Sequence, residues 1–458
     1  MPGRGLMQIA LDQRLGDDPH LPFLETAWSR RKMTRLFNRE VLPLTYPGRQ
    51  AAGVKRKDVA YTPGRKCVIR YSLNLDGAQG SESRWAVVSF AKDDRLKQVY
   101  RGHYSLNGDG RAANAVYLPQ YRCLVEIFPC DWRLPSLPLA MQPGTVAPLL
   151  RKALDAGDAT SPSCSKVKVL RYRPHYRCVL RYATASSVNG RRQAVGKLYP
   201  SRHEAQQVWD TISRLHRQGI ERPVFVPRPL GMNQEWNMLL MERVPGVSMK
   251  RMLFERRAPG EVQEVVKLGA TALATVHSLC FESEEIRSWQ TELEKLHKRT
   301  ARLRLVAPSL ADNVEALLVR AEEVARGYTF GAPSLIHGDC KPSQLLIDQG
   351  RVAFVDYDMT CLGDPAIDVG NFMAQFRKYA LSTGESYLRR WGSSFLAEYQ
   401  ARSSADGLTE RALLFEALSL VRMAVRKFRT SPRSYARKGQ SSPQVLLLRE
   451  AAACLAQL

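Results

Sequence analysis

At 458 residues the chain is long for a single hydrophobic core, so two or three domains are expected. The absence of a run of eighteen apolar residues argues against a membrane span, and nine scattered cysteines without paired spacing argue against a zinc cluster. The net charge of +24 implies an anionic partner, such as nucleic acid, phospholipid or an anionic metabolite. The start of the chain has no apolar core of the signal-peptide type, so we expect a cytoplasmic protein.

Two segments in the first half of the chain resemble each other. Residues 61–71, YTPGRKCVIRY, and residues 172–182, YRPHYRCVLRY, share Tyr, Pro, Cys, Val, Arg and Tyr in step. Each is typical of a β-hairpin with a Pro-containing turn. A later pair, YRCLVEIFP and WNMLLMERVP, also aligns in the same order. The sequence therefore predicts a duplicated, β-rich module, with its two copies at residues 55–140 and 166–250.

A helix and a hinge follow the second hairpin. Residues 201–219 carry apolar side chains at helical spacing, with Ser201 as the predicted N-cap and Gly219 at the end. Residues 224–246 predict two short strands and then a Pro-Gly break. We interpret this break as a hinge between domains.

Beyond the hinge, helical periodicity dominates. The predicted helices are residues 261–279, 289–305, 311–327, 386–402 and 409–430. Between them, the apolar runs 345–347 and 352–355 flank the turn Asp-Gln-Gly and predict one β-hairpin. Residues 431–444 are polar and rich in Pro, Ser and Gly, so we predict a flexible loop there.

Polar residues crowd one end of this predicted hairpin: His337, Asp339 and Gln344 before its first strand, and Asp356 and Asp358 after its second. An antiparallel hairpin brings these two groups together. Neighbouring carboxylates repel each other unless a cation lies between them. Mg²⁺ prefers carboxylate and amide oxygens and completes its shell with phosphate and water. The pattern predicts a Mg²⁺ site at Gln344 and Asp356, with Asp339 left to orient a hydroxyl group.

The segments HGDCKPSQLLI and VAFVDYDMTCLGDPAIDVGNF resemble the aminoglycoside phosphotransferase family, which includes small-molecule kinases and is protein-kinase-like. The likeness covers about residues 165–430 and includes MERVPG as the hinge between lobes. It implies an α+β, two-lobe fold with a β-rich N-lobe and a helical C-lobe, preceded by an extra β-rich module that resembles a degenerate N-lobe. The predicted domains are an N-terminal extension, the appended module, the N-lobe and the C-lobe, at residues 1–54, 55–150, 165–246 and 247–458.

The resemblance also implies roles for the residues of the hairpin. Asp339 becomes the catalytic base or the residue that orients the acceptor hydroxyl, and Asp356 becomes a Mg²⁺ ligand. Gln344 stands where the family usually has Asn, so its ligand role is plausible but the second metal position could be shifted. His337 belongs to the catalytic segment and is expected to brace the loop by hydrogen bonding. Asp358 and Asp364 are expected to contact the metal ligands without binding the metal themselves.

On the nucleotide side, Lys197 matches the phosphate-binding lysine of the family, because a strand lysine with apolar neighbours needs an anion. Glu204 is its candidate ion-pair partner, with Asp210 as the alternative. No glycine-rich loop precedes this strand, so His175, Tyr176 and Arg177 would have to cover the phosphates. The residues predicted to bind the nucleotide are Lys197, Glu204, Met241, Glu242, Tyr176 and Arg177.

The first copy lacks these predicted functional residues, because Ser89 aligns with Lys197 and no His-Gly-Asp segment follows it. We predict a non-catalytic appendage. Between Glu416 and Glu450 the chain has basic residues but no acid, which would repel a polycationic aminoglycoside. The predicted acceptor is therefore a neutral or anionic hydroxyl compound such as a sugar, a sugar phosphate or another metabolite.

Two alternatives to a kinase remain. One is a nucleotide-binding pseudokinase that acts as a scaffold or regulator, suggested by Gln344 and the missing glycines. The other is a nucleic-acid-binding protein, which only the net charge suggests, since the sequence has no nucleic-acid-binding motif and its aromatic residues do not cluster with the basic ones.

Overall fold

The computed structural model describes residues 17–76, 80–104, 114–153, 163–185, 193–220, 223–255, 258–403 and 406–458. They form two compact units, a β-rich unit of Asp17–Asp210 with Arg228–Arg243, and a helical unit of Thr211–Pro227 with Val244–Leu458. Among the described residues, no helix has both the length and the apolar character needed to cross a membrane. All nine cysteines lie outside disulfide bonds. The first sixteen residues of the predicted N-terminal extension lie outside the described residues.

The strands are β1 (Gln50–Thr62), β2 (Lys66–Asp76), β3 (Glu82–Ala91), β4 (Ala115–Leu118), β5 (Cys123–Ile127), β6 (Ser163–Arg173), β7 (Arg177–Ala185), β8 (Gln193–Leu198), β9 (Val224–Phe225), β10 (Pro229–Asn233), β11 (Met238–Glu242), β12 (Val247–Ser248), β13 (Ile286–Arg287), β14 (Ser334–Ile336), β15 (Leu345–Asp348), β16 (Arg351–Phe354) and β17 (Cys361–Gly363).

The helices are α1 (Leu24–Trp28), α2 (Arg30–Leu36), α3 (Leu42–Thr45), α4 (Arg95–Tyr104), α5 (Leu137–Ala140), α6 (Pro143–Ala153), α7 (Arg202–Arg217), α8 (Met249–Phe254), α9 (Pro259–His277), α10 (Trp289–Leu303), α11 (Pro308–Ala325), α12 (Ala366–Thr383), α13 (Leu388–Gln400), α14 (Leu408–Thr430), α15 (Pro432–Lys438) and α16 (Pro443–Leu455).

The β-rich unit contains the same sheet twice. The strand orders are β1-β2-β3-β5-β4 and β6-β7-β8-β11-β10, and every neighbouring pair within them is antiparallel. A helix follows the third strand of each sheet, α4 in the first copy and α7 in the second. Ser201 caps α7, since its Oγ accepts from the Glu204 amide at 3.2 Å. The predicted extra β-rich module is therefore confirmed, whereas its exact boundaries stay a prediction.

One hydrophobic cluster joins the two copies. Its members are buried side chains from both sheets and from the segment that links them, including Val68, Val87, Leu137, Val146, Leu150, Cys178, Leu180 and Tyr182. Burial of apolar side chains of this size stabilises a fold by about 1.5–3 kcal/mol each. The first copy is therefore packed into the β-rich unit and is not a loosely tethered domain.

The helical unit is built around α12, whose residues are buried on almost every side. Helices α13, α14 and α16 pack against it, and two small sheets, β12-β15-β16-β9 and β13-β17-β14, carry the polar ends described below. The predicted helices in this region and the hairpin β15–β16 are present. Together the two units confirm the predicted α+β class.

One sequence prediction is wrong. Residues 431–444, expected to form a flexible loop, contain the helix α15 and the beginning of α16. Tyr435 is buried against Phe428 at a ring distance of 6.0 Å, which gives this polar segment an apolar anchor. Helix α12 was also not predicted, because a helix buried on all sides lacks the amphipathic periodicity on which such predictions depend.

The crossing of α12 and α14 gives a test of this packing. A Cβ added at Gly370 would lie 2.6 Å from the Ala412 carbonyl oxygen and 2.6 Å from the Glu416 amide nitrogen, both backbone atoms. We expect Gly370→Ala to lower the free energy of unfolding by about 1–3 kcal/mol, because overpacking forces the helices apart. Gly392→Ala, where the nearest atoms lie at 3.8 Å, is the control and should stabilise α13 by about 0.5–1 kcal/mol. Urea denaturation measures both, and equal effects would contradict this account of the crossing.

Candidate functional site

The hairpin β15–β16 positions the polar cluster. Its register pairs Leu345 with Phe354 and Asp348 with Arg351. The amide of Val355 donates to the carbonyl of Gln344 at 3.0 Å, so pairing extends to the residue that precedes Asp356. The antiparallel pairing therefore places Gln344, which precedes β15, beside Asp356, which follows β16.

Three side chains meet at this end of the hairpin. The Nε2 atom of Gln344 donates to Oδ2 of Asp339 at 3.1 Å and to Oδ2 of Asp356 at 3.2 Å. Gln344 is only 4% exposed, and its Oε1 has no hydrogen-bond partner among the described residues. Gln344 thus brings a buried amide oxygen without a partner into the same cluster as two carboxylates, and these are the kinds of ligand that a hard divalent cation prefers. The residues present therefore fit Mg²⁺.

Asp339 is held in its ionised form. Burial alone would raise the pKa of its carboxyl group, but the Lys341 ammonium, which donates to Oδ2, and the nearby Arg422 keep that pKa below its ordinary value. A carboxylate surrounded in this way can accept a hydrogen bond from a hydroxyl group at neutral pH. Its lowered pKa makes it a weak base, better suited to orienting the hydroxyl than to removing a proton early.

His337 lies behind this cluster. It is 1% exposed, and its ring packs 5.7 Å from the rings of both Phe354 and Tyr357. Its Nε2 donates to the carbonyl oxygen of Val355 at 3.1 Å, which ties the loop to the end of β16. These contacts suit a bracing role. Asp356 itself has a left-handed backbone, with φ of 75°, a strained conformation that often marks a functional residue.

Asp368, on the first turns of α12, holds the loop that carries Asp339. Its carboxylate is fully buried and accepts from the backbone amides of His337 at 2.6 Å, Gly338 at 3.2 Å and Cys340 at 3.3 Å. Burial would raise the pKa of Asp368, but a hydrogen bond from His277 and the charge of that ring lower it to about 2. The loop conformation is therefore fixed by a permanent buried anion.

A second support comes from a chain of charged side chains. Arg287 donates to the carbonyl of Gly338 at 2.6 Å and pairs with Glu292 at 2.9 Å. Arg422, on α14, lies 3.5 Å from the same Glu292 carboxylate and donates to Asn371 at 2.8 Å. The amide of Asn371 donates in turn to the carbonyl of Cys340 at 2.6 Å.

Asp364 acts on the site indirectly, through the helix α12. Its Oδ1 accepts from the Ala366 amide at 2.9 Å at the start of α12, and its Oδ2 accepts from the buried Arg411 at 2.8 Å. It thereby fixes the helix that carries Asp368. The supporting role predicted for Asp358, which lies in the turn after Asp356, stays a prediction.

A cluster of basic residues in the helical unit includes two neighbours of Asp339, Lys341 and Arg422. Burial and the charges of Arg287 and Arg299 lower the pKa of Arg422, and burial with the charge of Arg426 lowers that of Arg299. Desolvation and four neighbouring cations lower the pKa of Lys378 to about 8; those cations are Arg426, Lys250, Lys341 and Lys427. This mutual repulsion means that a bound anion would stabilise the cluster.

The predicted nucleotide residues lie in the β-rich unit. Lys197 is 5% exposed and lies in the middle of its sheet, paired with Val179 on β7 and Leu239 on β11. Glu204 lies in the first turn of α7, and its pairing with Lys197 stays a prediction. The side chain of Glu242 accepts from the Arg228 amide at 2.8 Å and so stabilises the end of β11.

The turn between β6 and β7 carries Tyr176 and Arg177. Tyr176 is 41% exposed, and the guanidinium of Arg173 lies 4.3 Å from its ring centroid. Arg177 is only 5% exposed. No feature of the β-rich unit tests whether these side chains, Lys197 or Met241 bind a nucleotide, so these roles stay predictions.

Three residues of the site were not predicted from the sequence: Arg287, Asp368 and Asn371. Asp368 and Asn371 did carry a signal, since they are polar residues three positions apart in a segment that is otherwise apolar and buried. Arg287 carried none, because its partners lie 51 residues away at Gly338 and on the following helix.

A family model described as "Phosphotransferase enzyme family" matches residues 184–414. Among solved structures, the ADP-bound aminoglycoside phosphotransferase APH(2'')-Ib is 13% identical, over 64% of this chain and 92% of its own, with a TM-score of 0.43. An ethanolamine kinase from Plasmodium vivax is 13% identical, over 64% and 83%, with a TM-score of 0.45. The aminoglycoside phosphotransferase APH(3'')-Id from Streptomyces rimosus is 19% identical, over 60% and 96%, with a TM-score of 0.40. No curated protein matches the sequence.

Proposed function

The chain belongs to the phosphotransferase enzyme family, and from this premise we propose that it transfers the terminal phosphoryl group of ATP, or of another nucleoside triphosphate, to a hydroxyl group of a small molecule. The acceptor we propose is neutral or anionic: a sugar, a sugar phosphate or another metabolite. One observation carries the proposal, the meeting of Asp339, Gln344 and Asp356 within hydrogen-bond distance at one end of a rigid hairpin.

In this proposal Asp339 accepts a hydrogen bond from the acceptor hydroxyl and directs its oxygen towards the phosphoryl group. The transition state of phosphoryl transfer is loose, so positioning and charge stabilisation contribute more than early proton removal. A carboxylate with a lowered pKa suits that task, because it is ionised at every pH at which the protein is expected to work. The proton leaves the hydroxyl late and is taken up by Asp339.

Asp356 and Gln344, through its Oε1 atom, would hold Mg²⁺. When bound, this ion supplies positive charge that neutralises the terminal phosphates. Lys341 and Arg422 add fixed positive charge next to Asp339. Charges already fixed in place stabilise a developing anion without reorganisation, which is why such groups accelerate transfer.

The nucleotide would be held by the residues predicted from the family resemblance, with Lys197 as the phosphate-binding cation. The full set proposed is Lys197, Glu204, Met241, Glu242, Tyr176 and Arg177. Lys197 lies on the central strand β8, paired in register with Val179 and Leu239. A cytoplasmic location likewise stays a prediction.

The charge around Asp339 supports the choice of acceptor. Lys341 and Arg422 lie next to Asp339, and repulsion links them to Arg299, Arg426 and Lys378. A phosphate or carboxylate on the acceptor would relieve that repulsion. A polycationic aminoglycoside would add to it. Since Lys378 has a pKa of about 8, an anionic acceptor should bind more weakly as the pH rises through 8 and that lysine loses its charge.

The test is ADP release with Mg²⁺ and ATP across a panel of sugars, sugar phosphates, amino alcohols and aminoglycosides. We expect kcat/KM for the best neutral or anionic acceptor to exceed that for any aminoglycoside by at least about 100-fold, in line with several unfavourable charge contacts. Arg426→Gln should raise KM for an anionic acceptor and leave KM for a neutral one unchanged. Turnover confined to aminoglycosides would refute the proposed acceptor, and nucleotide binding without turnover on any acceptor would favour the pseudokinase alternative.

A further inference from the structure

The turn between β6 and β7 has an unusual residue at its tip. His175 has a left-handed backbone, with φ of 60°, a conformation that costs most side chains energy, is less costly for Asn, Asp and His, and is readily adopted by glycine. The first copy has Gly64, with φ of 69°, at the equivalent position of the turn between β1 and β2. The second copy therefore keeps a histidine where glycine would be free of strain, which points to a use for the imidazole.

Two buried carboxylates hold this histidine. The His175 amide donates to Oδ2 of Asp131 at 2.8 Å, and its Nε2 lies 2.6 Å from Oε2 of Glu126. Tyr172, on the other side of the turn, donates to the same Asp131 oxygen at 2.9 Å. Glu126 is 0% and Asp131 2% exposed, so these bonds are made in an environment where water does not compete.

The other oxygen of each carboxylate also accepts hydrogen bonds. Oε1 of Glu126 accepts from the Tyr104 hydroxyl and from the Trp132 amide at 2.7 Å, and Oδ1 of Asp131 accepts from the Arg133 amide at 2.9 Å. The trio of Glu126, Asp131 and His175 has the atoms of a metal site. Every carboxylate oxygen of Glu126 and Asp131 already accepts a hydrogen bond from a protein donor. The trio therefore holds the turn in place, and we call this arrangement the latch.

The first copy contains half of this arrangement. Asp18 accepts from the Tyr61 hydroxyl at 2.7 Å and from the Gly64 amide at 2.8 Å, as Asp131 does from Tyr172 and His175. The segments around the two aspartates also match in sequence, as Asp-x-x-Leu-Pro-x-Leu. Only the second turn gains a ring-to-carboxylate bond, because Gly64 has no side chain. The additional tether, Glu126, comes from β5 of the first copy.

We propose that the first copy positions the turn at residues 173–177 for binding of the nucleotide phosphates, with Glu126 and Asp131 as positioning residues that act through His175. This inference rests on the proposed function, in which that turn covers the phosphates. Glycine-rich loops approach phosphates with mobile backbone amides, and a turn without glycine must be fixed in its binding conformation beforehand. Fixing it lowers the ordering entropy lost on binding, which raises affinity without any new contact to the ligand.

The test uses full-length His175→Gly and His175→Asn, since glycine occupies the equivalent turn of the first copy and asparagine tolerates a left-handed backbone. Both remove the bond to Glu126 and keep the amide bond to Asp131. We expect the Kd and the KM for ATP with Mg²⁺ to rise about tenfold while kcat stays within about twofold, the pattern of lost uniform binding. Asp18→Asn, which breaks the matching bonds in the other turn, is the control and should lower Tm while leaving both constants within about twofold.

The outcomes separate this inference from the function on which it rests. If the wild-type protein binds ATP with Mg²⁺ and both His175 variants bind it equally well, the latch has only a structural role and the inference is overturned, while the proposed function stands. If Asp18→Asn weakens ATP binding as much as His175→Gly, general destabilisation explains the effect and the inference is again overturned. If the wild-type protein binds no nucleotide, both the proposed function and the inference fall.

Discussion

Replacing Asp339 with Asn should reduce kcat by about 10²–10⁴-fold, the range observed when a positioned general base is lost. The amide cannot take up the proton of the acceptor hydroxyl, and its NH₂ group would face the donors Lys341 Nζ and Gln344 Nε2. The Kd for the nucleotide should change by less than about threefold, since the proposed nucleotide residues lie elsewhere in the chain. Stopped assays of ADP release and calorimetric titration with an ATP analogue measure the two quantities.

Asp348→Asn is the matched control for this substitution. Asp348 lies at the opposite end of the same hairpin, in register with Arg351, so its replacement perturbs the ribbon without touching the site. Turnover should stay within about twofold of wild type. A residual activity above one-tenth in Asp339→Asn would show that Asp339 does not handle the acceptor hydroxyl. Because the pKa of Asp339 is lowered, the acid limb of the wild-type pH profile should lie below the ordinary range of an aspartate.

Replacing Asp368 with Asn should lower the free energy of unfolding by about 3 kcal/mol, because a buried network of charged hydrogen bonds is broken. The carboxylate accepts hydrogen bonds from three backbone amides and from a histidine ring. An Asn side chain would turn its own NH₂ donor towards at least one of these donors. The loop with Asp339 would also lose its fixed conformation, so turnover should fall about tenfold or more.

The pH dependence of stability provides an independent check on Asp368. Its pKa is about 2 in the folded protein against an ordinary value of 3.8, so the folded state binds fewer protons than the unfolded state between these values. The stability contributed by this group is present above pH 4 and is lost as the pH falls to 2, by about 2 kcal/mol. Asp368→Asn should lack this part of the acid transition.

Asp312→Asn serves as the control for Asp368. Asp312 is an exposed aspartate in an ion pair with Arg304, and exposed pairs contribute little. Its replacement should change the free energy of unfolding by less than about 1 kcal/mol and leave the acid transition in place. Chemical denaturation at several pH values measures both variants, and equal losses would refute the special role of the buried carboxylate.

The hairpin of the site was predictable because its information is local. Alternating apolar runs around Asp348-Gln349-Gly350 define both strands, and antiparallel pairing then requires Gln344 and Asp356 to be neighbours. The pairing of Lys197 with Glu204 or Asp210, by contrast, depends on how the helix after β8 is oriented, so spacing along the chain does not decide it. A strand followed by a helix allows several orientations of a side chain, and packing selects among them.

The residues that hold the site in place could be identified only in the folded chain. Asp368 reaches the loop from 28 to 31 residues away, Arg287 from 51, and Arg422 reaches Asn371 across another 51. Nothing in the separate segments indicates which buried anion meets which backbone amide. The latch on His175 is similar, since Glu126 lies 49 residues before it in the other copy of the duplicated module.

By itself the sequence determined the duplicated β-rich module, the helical second half, the family resemblance and the meeting of three polar residues at one hairpin end. Local periodicity, turn chemistry and spacing are sufficient for these features, because each depends on residues close together in the chain. Only the tertiary structure decided how the loop with Asp339 is held, which basic residues surround it and what the first copy touches. Those properties arise from burial and from charges brought together across long separations, and burial exists only after folding.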